Sequence, residues 1–136
     1  MIYADTDFFV ALVKKSDWLK VSAKKLLKEY AGQIWTSPAT LIELMLLAAG
    51  LDLDPETVIE DVLKIARLRG GNVAVLQRAA KYVKKDDVRV FDALHAACCG
   101  TDCRIISSDK VFDRLGLKRI RLEPKKNHAD ADTRPP

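Results

Sequence analysis

Short segments that read as strands, at Ile2–Ala4, 33–36, Arg104–Ser107 and 118–122, recur along this chain with helical periodicity between them, and this alternation constrains the fold more than any other feature. Strands separated by helices cross over instead of turning back as tight hairpins, which favours a parallel sheet covered on both faces. The expected fold class is α/β: a three-layer sandwich with a mainly parallel sheet of four or five strands flanked by helices. A first helix is expected from Asp7 or Phe8. Over residues 18–30, Leu19, Ala23, Leu26, Leu27 and Tyr30 recur at helical spacing with lysines opposite, an amphipathic surface helix. Ser37-Pro38 opens a helix running to about Ala49, apolar almost all round, whose only charge is Glu43. Such a helix is either central or covered by another chain. Asp54-Pro55 opens another, ending before Gly70-Gly71. A short third strand is expected at 72–75, helices at 76–84 and Val90–Cys99, and a short helix at 110–115.

A chain of 136 residues with this much apolar content suits one domain, expected over residues 1–124. The remainder, KKNHADADTRPP over 125–136, has no apolar period and reads as a disordered tail, with His128, Asp130 and Asp132 tail residues, not a metal cluster. No signal peptide or apolar run of about 18 residues is visible, so a cytoplasmic protein outside the membrane is expected. Cys98, Cys99 and Cys103 are too closely bunched for a disulfide framework and read as reduced thiols. Net charge is +4, and setting aside four carboxylates gathered in one cleft leaves +8 on the rest, which favours a polyanionic partner.

Ligands of an open parallel sheet collect beyond the carboxyl ends of its strands, so acids placed there are the first candidates. Asp5 and Asp7 follow the first strand; Asp109 follows RIISS, with Asp113 four residues on. Glu43 and Asp92 instead lie within apolar helical stretches, where an unpaired carboxylate costs several kcal/mol. Each has an ordinary alternative: Asp92, Asp7 and Asp109 as helix caps, Glu43 in an ion pair. All must hold together for the site to vanish. All-oxygen ligation selects Mg²⁺ or Mn²⁺, and the chemistry expected is metal-activated water attacking a phosphodiester.

In order, IYADTD, SPATLIELM, FDALHAA and RIISSDKVFD resemble the PIN-domain family, and within it the VapC-type toxins and related single-domain proteins, over residues 1–124. The resemblance implies Asp5, Glu43, Asp92 and Asp109 as an acidic quartet, Asp113 as an accessory acid and Ser107 as a supporting hydroxyl. Asp7 stands where the family more often has Asn, Ser or Thr, as an extra ligand or a helix cap. His95, one turn after Asp92, has no role the resemblance supplies and reads as a packing or hydrogen-bonding residue, with substrate contact the other reading. The resemblance further implies an endoribonuclease cutting single-stranded RNA, a homodimer and an antitoxin protein. The apolar helix over 39–49, with that over 55–67, is the expected dimer or antitoxin surface. Trp18, Trp35 and Tyr82 are aromatic enough to stack bases but read first as packing residues.

Two rivals stand beside this. A catalytically inactive PIN-like RNA-binding or assembly module should lose site acids, and this chain keeps all four. Asp5-x-Asp7 also resembles the opening of haloacid-dehalogenase-like phosphatases, but KKDD precedes IISSD, the wrong order for them, and Glu43 goes unexplained.

Overall fold

The structure, a computed structural model, describes residues 1–125. The reading of the tail, with its His128, Asp130 and Asp132, lies outside the described residues but for Lys125. In chain order the elements are β1 (Ile2–Ala4), α1 (Thr6–Val13), α2 (Lys20–Glu29), β2 (Ile34–Thr36), α3 (Pro38–Ala48), α4 (Pro55–Ile65), β3 (Arg67–Leu68), α5 (Val73–Asp86), α6 (Val90–Cys99), β4 (Arg104–Ser107), α7 (Val111–Arg114) and β5 (Lys118–Arg121). The strands form one sheet in the order β3-β2-β1-β4-β5, every pair parallel. The three-layer α/β sandwich expected from the alternation is the fold observed.

β1 is central, with Tyr3 opposite Trp35 of β2 and Ile105 of β4. Its side chains alternate between faces, as the two-residue period of a strand requires. Ile2 and Ala4 join Phe8 and Phe9 of α1, Leu26 of α2 and Val62 of α4 in one core. Tyr3 joins Ile105, Trp35, Ala96 of α6 and Phe112 of α7 in another, and α5 packs over α6 through Val75, Ala79, Ala93 and Ala97. Burial on both faces explains why β1 reads as a continuous apolar run.

The third strand is not where sequence places it. Residues 72–75 open α5, because the Asn72 side chain accepts the backbone N–H of Val75 at 3.0 Å and caps that helix. β3 is instead Arg67–Leu68, an exposed two-residue edge that pairs with Trp35 and Thr36. Gly70 and Gly71, at φ +88° and +89°, make the turn that follows; a Cβ on Gly71 would lie 3.3 Å from the Pro38 ring. Among the described residues no helix is long and apolar enough to cross a membrane. The three cysteines are free thiols, Cys99 buried and the others half-buried.

The chain leaves β1 for β2 and β3 on one side and returns to β4 on the other. That reversal, at β1 and β4, opens a crevice at their carboxyl ends.

Candidate active site

Asp5 is fixed on both carboxylate oxygens. Its backbone N–H extends the ladder to Ile106 O at 3.0 Å, which places the side chain just past the end of β1. Oδ1 accepts the Thr6 N–H at 2.7 Å and so caps α1, and Oδ2 accepts the Ser107 hydroxyl at 2.8 Å. The Ser107 oxygen in turn accepts the Asp109 N–H at 3.0 Å, so one fully buried hydroxyl aligns the acids after β1 and β4. Asp109 also holds the turn into α7, accepting Val111 N–H at 2.9 Å.

Glu43 comes from α3, where Leu44 and Ala48 face the core and Ile42, Met45 and Leu46 face outward, leaving Glu43 at the boundary. No Lys or Arg pairs with it among the described residues. Its Oε1 accepts the Thr6 hydroxyl and lies 2.9 Å from His95 Nε2. Asp92 does not cap α6, whose cap position is Arg89; it sits in the first turn, where the helix dipole favours a negative charge.

A cleft of about 700 Å³ is lined by Asp5, Asp7, Glu43, Asp92, Asp109 and Glu123, with Trp18, Arg89 and Lys110 also on its walls. All four of the quartet therefore meet in one place. Asp7 joins them: its Oδ2 accepts the Ser108 N–H at 2.9 Å and the Ser108 hydroxyl, while its buried Oδ1 has no hydrogen-bond partner among the described residues. Asp113 does not join. It is half exposed and clasped by Arg119, at 3.1 Å from Nε and 3.0 Å from Nη2, and Arg119 also reaches Ser107 O and Glu123.

The electrostatics follow from the crowding. Burial, then the charge of Asp5, pushes the Asp7 carboxyl up to about 7. Burial, then the charges of Asp109 and Asp5, pushes Asp92 up to about 6. Asp5 is raised by burial against the pull of His95 and Ser107. Glu43 is lowered, because hydrogen bonds from His95 and Thr6 outweigh its burial. For His95 burial works the other way, yet the charges of Asp5 and Glu43 hold the imidazole above its ordinary value.

Sequence reasoning left His95 outside the site, but it lies at the centre, 1% exposed, with Nε2 3.1 Å from Asp5 Oδ1 as well. Its signal was available: it stands three residues after Asp92 and thus on the same helix face. Glu123 was missed too, although it lies just past the end of β5, where the strand-end rule points. Trp35 is a core residue edge-on to Tyr3, with ring centroids 4.8 Å apart, whereas Trp18 faces the cleft.

This donor set fits a hard divalent cation. Carboxylates from four parts of the chain share one cleft, Asp7 and Asp92 are raised by burial and by neighbouring carboxylates, Asp5 among them, and a buried carboxylate oxygen lacks a partner among the described residues. Asp5, Glu43 and His95 each offer a ligand atom, all within 4.8 Å of one another.

The family model described as PIN domain matches residues 2–118. A comparison with curated proteins gives no match. Among solved structures the chain is similar to VapC20 of Mycobacterium tuberculosis, described as a toxin that cleaves the sarcin-ricin loop. That match is 21% identical with a TM-score of 0.77, over 89% of this chain and 99% of the other. VapBC2 of Rickettsia felis, bound to a fragment of promoter DNA, is 16% identical with a TM-score of 0.69, over 89% of this chain and 98% of that one. VapBC-1 of nontypeable Haemophilus influenzae is 21% identical with a TM-score of 0.65, over 90% and 98%. A match running from β1 into β5, on a sheet whose crossover gathers the acids of all four motifs, shows that the chain belongs to the PIN-domain family.

Proposed function

We propose that this chain is a Mg²⁺- or Mn²⁺-dependent endoribonuclease that hydrolyses phosphodiester bonds of single-stranded RNA, as the cytoplasmic toxin of a toxin–antitoxin pair. The observation that carries the reading is the convergence of Asp5, Glu43, Asp92 and Asp109, from four separate elements, on one cleft at the carboxyl ends of β1 and β4. These four would hold the cation, with Asp7 as an accessory ligand and Ser107 as the residue that orients Asp5 and Asp109. A bound divalent cation supplies Lewis-acid activation of water and offsets charge on the leaving oxygen.

The protein's own groups do the rest. Ser107 and the Thr6 N–H hold both oxygens of Asp5 in one orientation, so no side-chain reorganisation is needed when substrate arrives. Arg89 and Lys110 on the cleft wall offer positive charge to flanking phosphates, and Trp18 offers a ring to an unpaired base. Asp113, clasped by Arg119, supports the β4–β5 end of the site from outside the cleft. The partners proposed are a second copy of the chain, on the exposed Ile42, Met45 and Leu46 of α3 and Leu63 of α4, and an antitoxin, which the similarly folded VapBC assemblies support.

The test is cleavage of single-stranded RNA with Mg²⁺ or Mn²⁺ against a chelator control. Asp5→Asn and Asp92→Asn should each lose about a hundredfold or more in rate. Activity that survives both substitutions, or the chelator, overturns the reading. RNA binding without cleavage favours the inactive module, and phosphate release from small phosphomonoesters favours the phosphatase, a reading that leaves Glu43 and Asp92 without a task.

A further inference from the structure

We propose that His95 is a positioning residue that holds Asp5 and Glu43 together as a pair, and that Tyr3 fixes His95 for this task. The proposal rests on the metal-dependent reading of the cleft. Asp5 follows β1 and Glu43 lies on α3, and the one local tie between them is Thr6, whose N–H gives to Asp5 and whose hydroxyl gives to Glu43. His95 Nε2 reaches both, at 3.1 Å from Asp5 Oδ1 and 2.9 Å from Glu43 Oε1. An N–H placed between two carboxylates offsets their repulsion and sets the angle at which they face the cleft.

The other ring nitrogen is held as firmly. Nδ1 lies 2.7 Å from the Tyr3 hydroxyl, which lies 2.8 Å from Ser37 Oγ and 3.4 Å from Thr40 Oγ1. With the imidazole neutral and its proton on Nε2, the Tyr3 hydroxyl gives to Nδ1 and a Ser37 or Thr40 hydroxyl gives to the Tyr3 oxygen; with the imidazole protonated, Nδ1–H gives to the Tyr3 oxygen and the Tyr3 hydroxyl gives to Ser37, so Nε2–H faces the carboxylates in both states. Ser37 and Thr40 stand at the start of the helix that carries Glu43, so the relay runs from α3 through β1 to α6 and back to α3.

Packing does not require these polar groups. Tyr3 is fully buried against Trp35, and His95 is buried on a helix whose Ala93, Ala96 and Ala97 are buried too, where Phe and Leu would serve the core. Burying an imidazole and a phenol costs free energy unless their hydrogen bonds are made, and the bonds made lead to the two acids.

The experiment uses the full chain in four forms: wild type, His95→Leu, His95→Gln and Tyr3→Phe. Mn²⁺ and Mg²⁺ binding is measured by calorimetry, and the ring N–H of His95 is followed by ¹⁵N-histidine NMR without metal. Loss of a group that orients a ligand weakens metal binding about ten- to a hundredfold, which is the drop expected for His95→Leu. Tyr3→Phe should lose severalfold, and His95→Gln, whose amide can donate to the same acceptors, should stay within about threefold of wild type. Simple loosening of the core would not spare Gln. Where His95→Leu does not fold, Tyr3→Phe carries the comparison. Unchanged binding in Leu and Phe variants overturns the proposal, as does a Gln variant as weak as Leu together with nitrogen coupling in the Mn²⁺ spectrum, which makes His95 a direct ligand. A rapidly exchanging His95 ring proton in the metal-free protein also overturns it. No cation uptake by wild type overturns the metal-dependent reading instead.

Discussion

Asp7 shows how a single carboxyl can be costly alone and useful in company. Its Oδ1 is buried without a partner among the described residues, and burial beside Asp5 pushes the group up to about 7. Asp7→Asn keeps an acceptor for the Ser108 N–H and hydroxyl but removes the charge. The metal-free variant should therefore melt at a higher temperature than wild type, by more at pH 8 than at pH 5, since only near and above pH 7 is the wild-type group ionised in the fold. A smaller gain at pH 8 than at pH 5 in thermal scans would exclude this account. Ser107 shows the opposite economy: one buried hydroxyl donates to Asp5 and accepts from Asp109, with nothing left unmade.

At the scale of elements, α3 carries two different surfaces. Ser37, Thr40 and Glu43 face Tyr3, His95 and Thr6, while Met45 and Leu46 stand 50% and 68% exposed. Continuous apolar exposure of this kind needs a cover. With the pair Met45→Glu and Leu46→Glu, sedimentation should show a shift from dimer to monomer, while thermal stability at the same low protein concentration changes little. A wild-type monomer at high concentration would remove the dimer. Reading β3 from sequence failed at this scale too. Its two residues are exposed, so no burial alternation marks them, and the better β-forming stretch at 72–75 was claimed by the Asn72 cap.

At the scale of the whole molecule, proton binding and stability are linked through the cleft. Asp7 and Asp92 are raised to about 7 and about 6, and Asp5 and His95 are raised as well. Each makes the fold bind more protons than the unfolded chain, so metal-free stability falls as pH rises from about 4 to 7. Glu43 is lowered and works the other way, but only in the acid range around its ordinary value. Calorimetry with a chelator should therefore give a lower Tm at pH 8 than at pH 5. Saturating Mg²⁺ or Mn²⁺ should raise Tm more at pH 8, because ligand carboxylates bind metal in ionised form. Equal gains at both pH values would separate the cation from these acids. The sequence by itself determined the layers, the parallel sheet and the candidacy of Asp5, Glu43, Asp92 and Asp109, because periodicity, strand ends and a charge in an apolar helix are all local signals. Tertiary structure decided which acids meet. Asp113 stands at helical spacing from Asp109, yet Asp109 lies in the turn before α7 and Arg119 clasps Asp113 outside the cleft, and His95 is as apolar in its local surroundings as any core residue, yet lies between Asp5 and Glu43. Those outcomes depend on partners 6 to 90 positions distant in the chain, Arg119 on β5 and Asp5 after β1, and no window of sequence contains the crossover that brings them together.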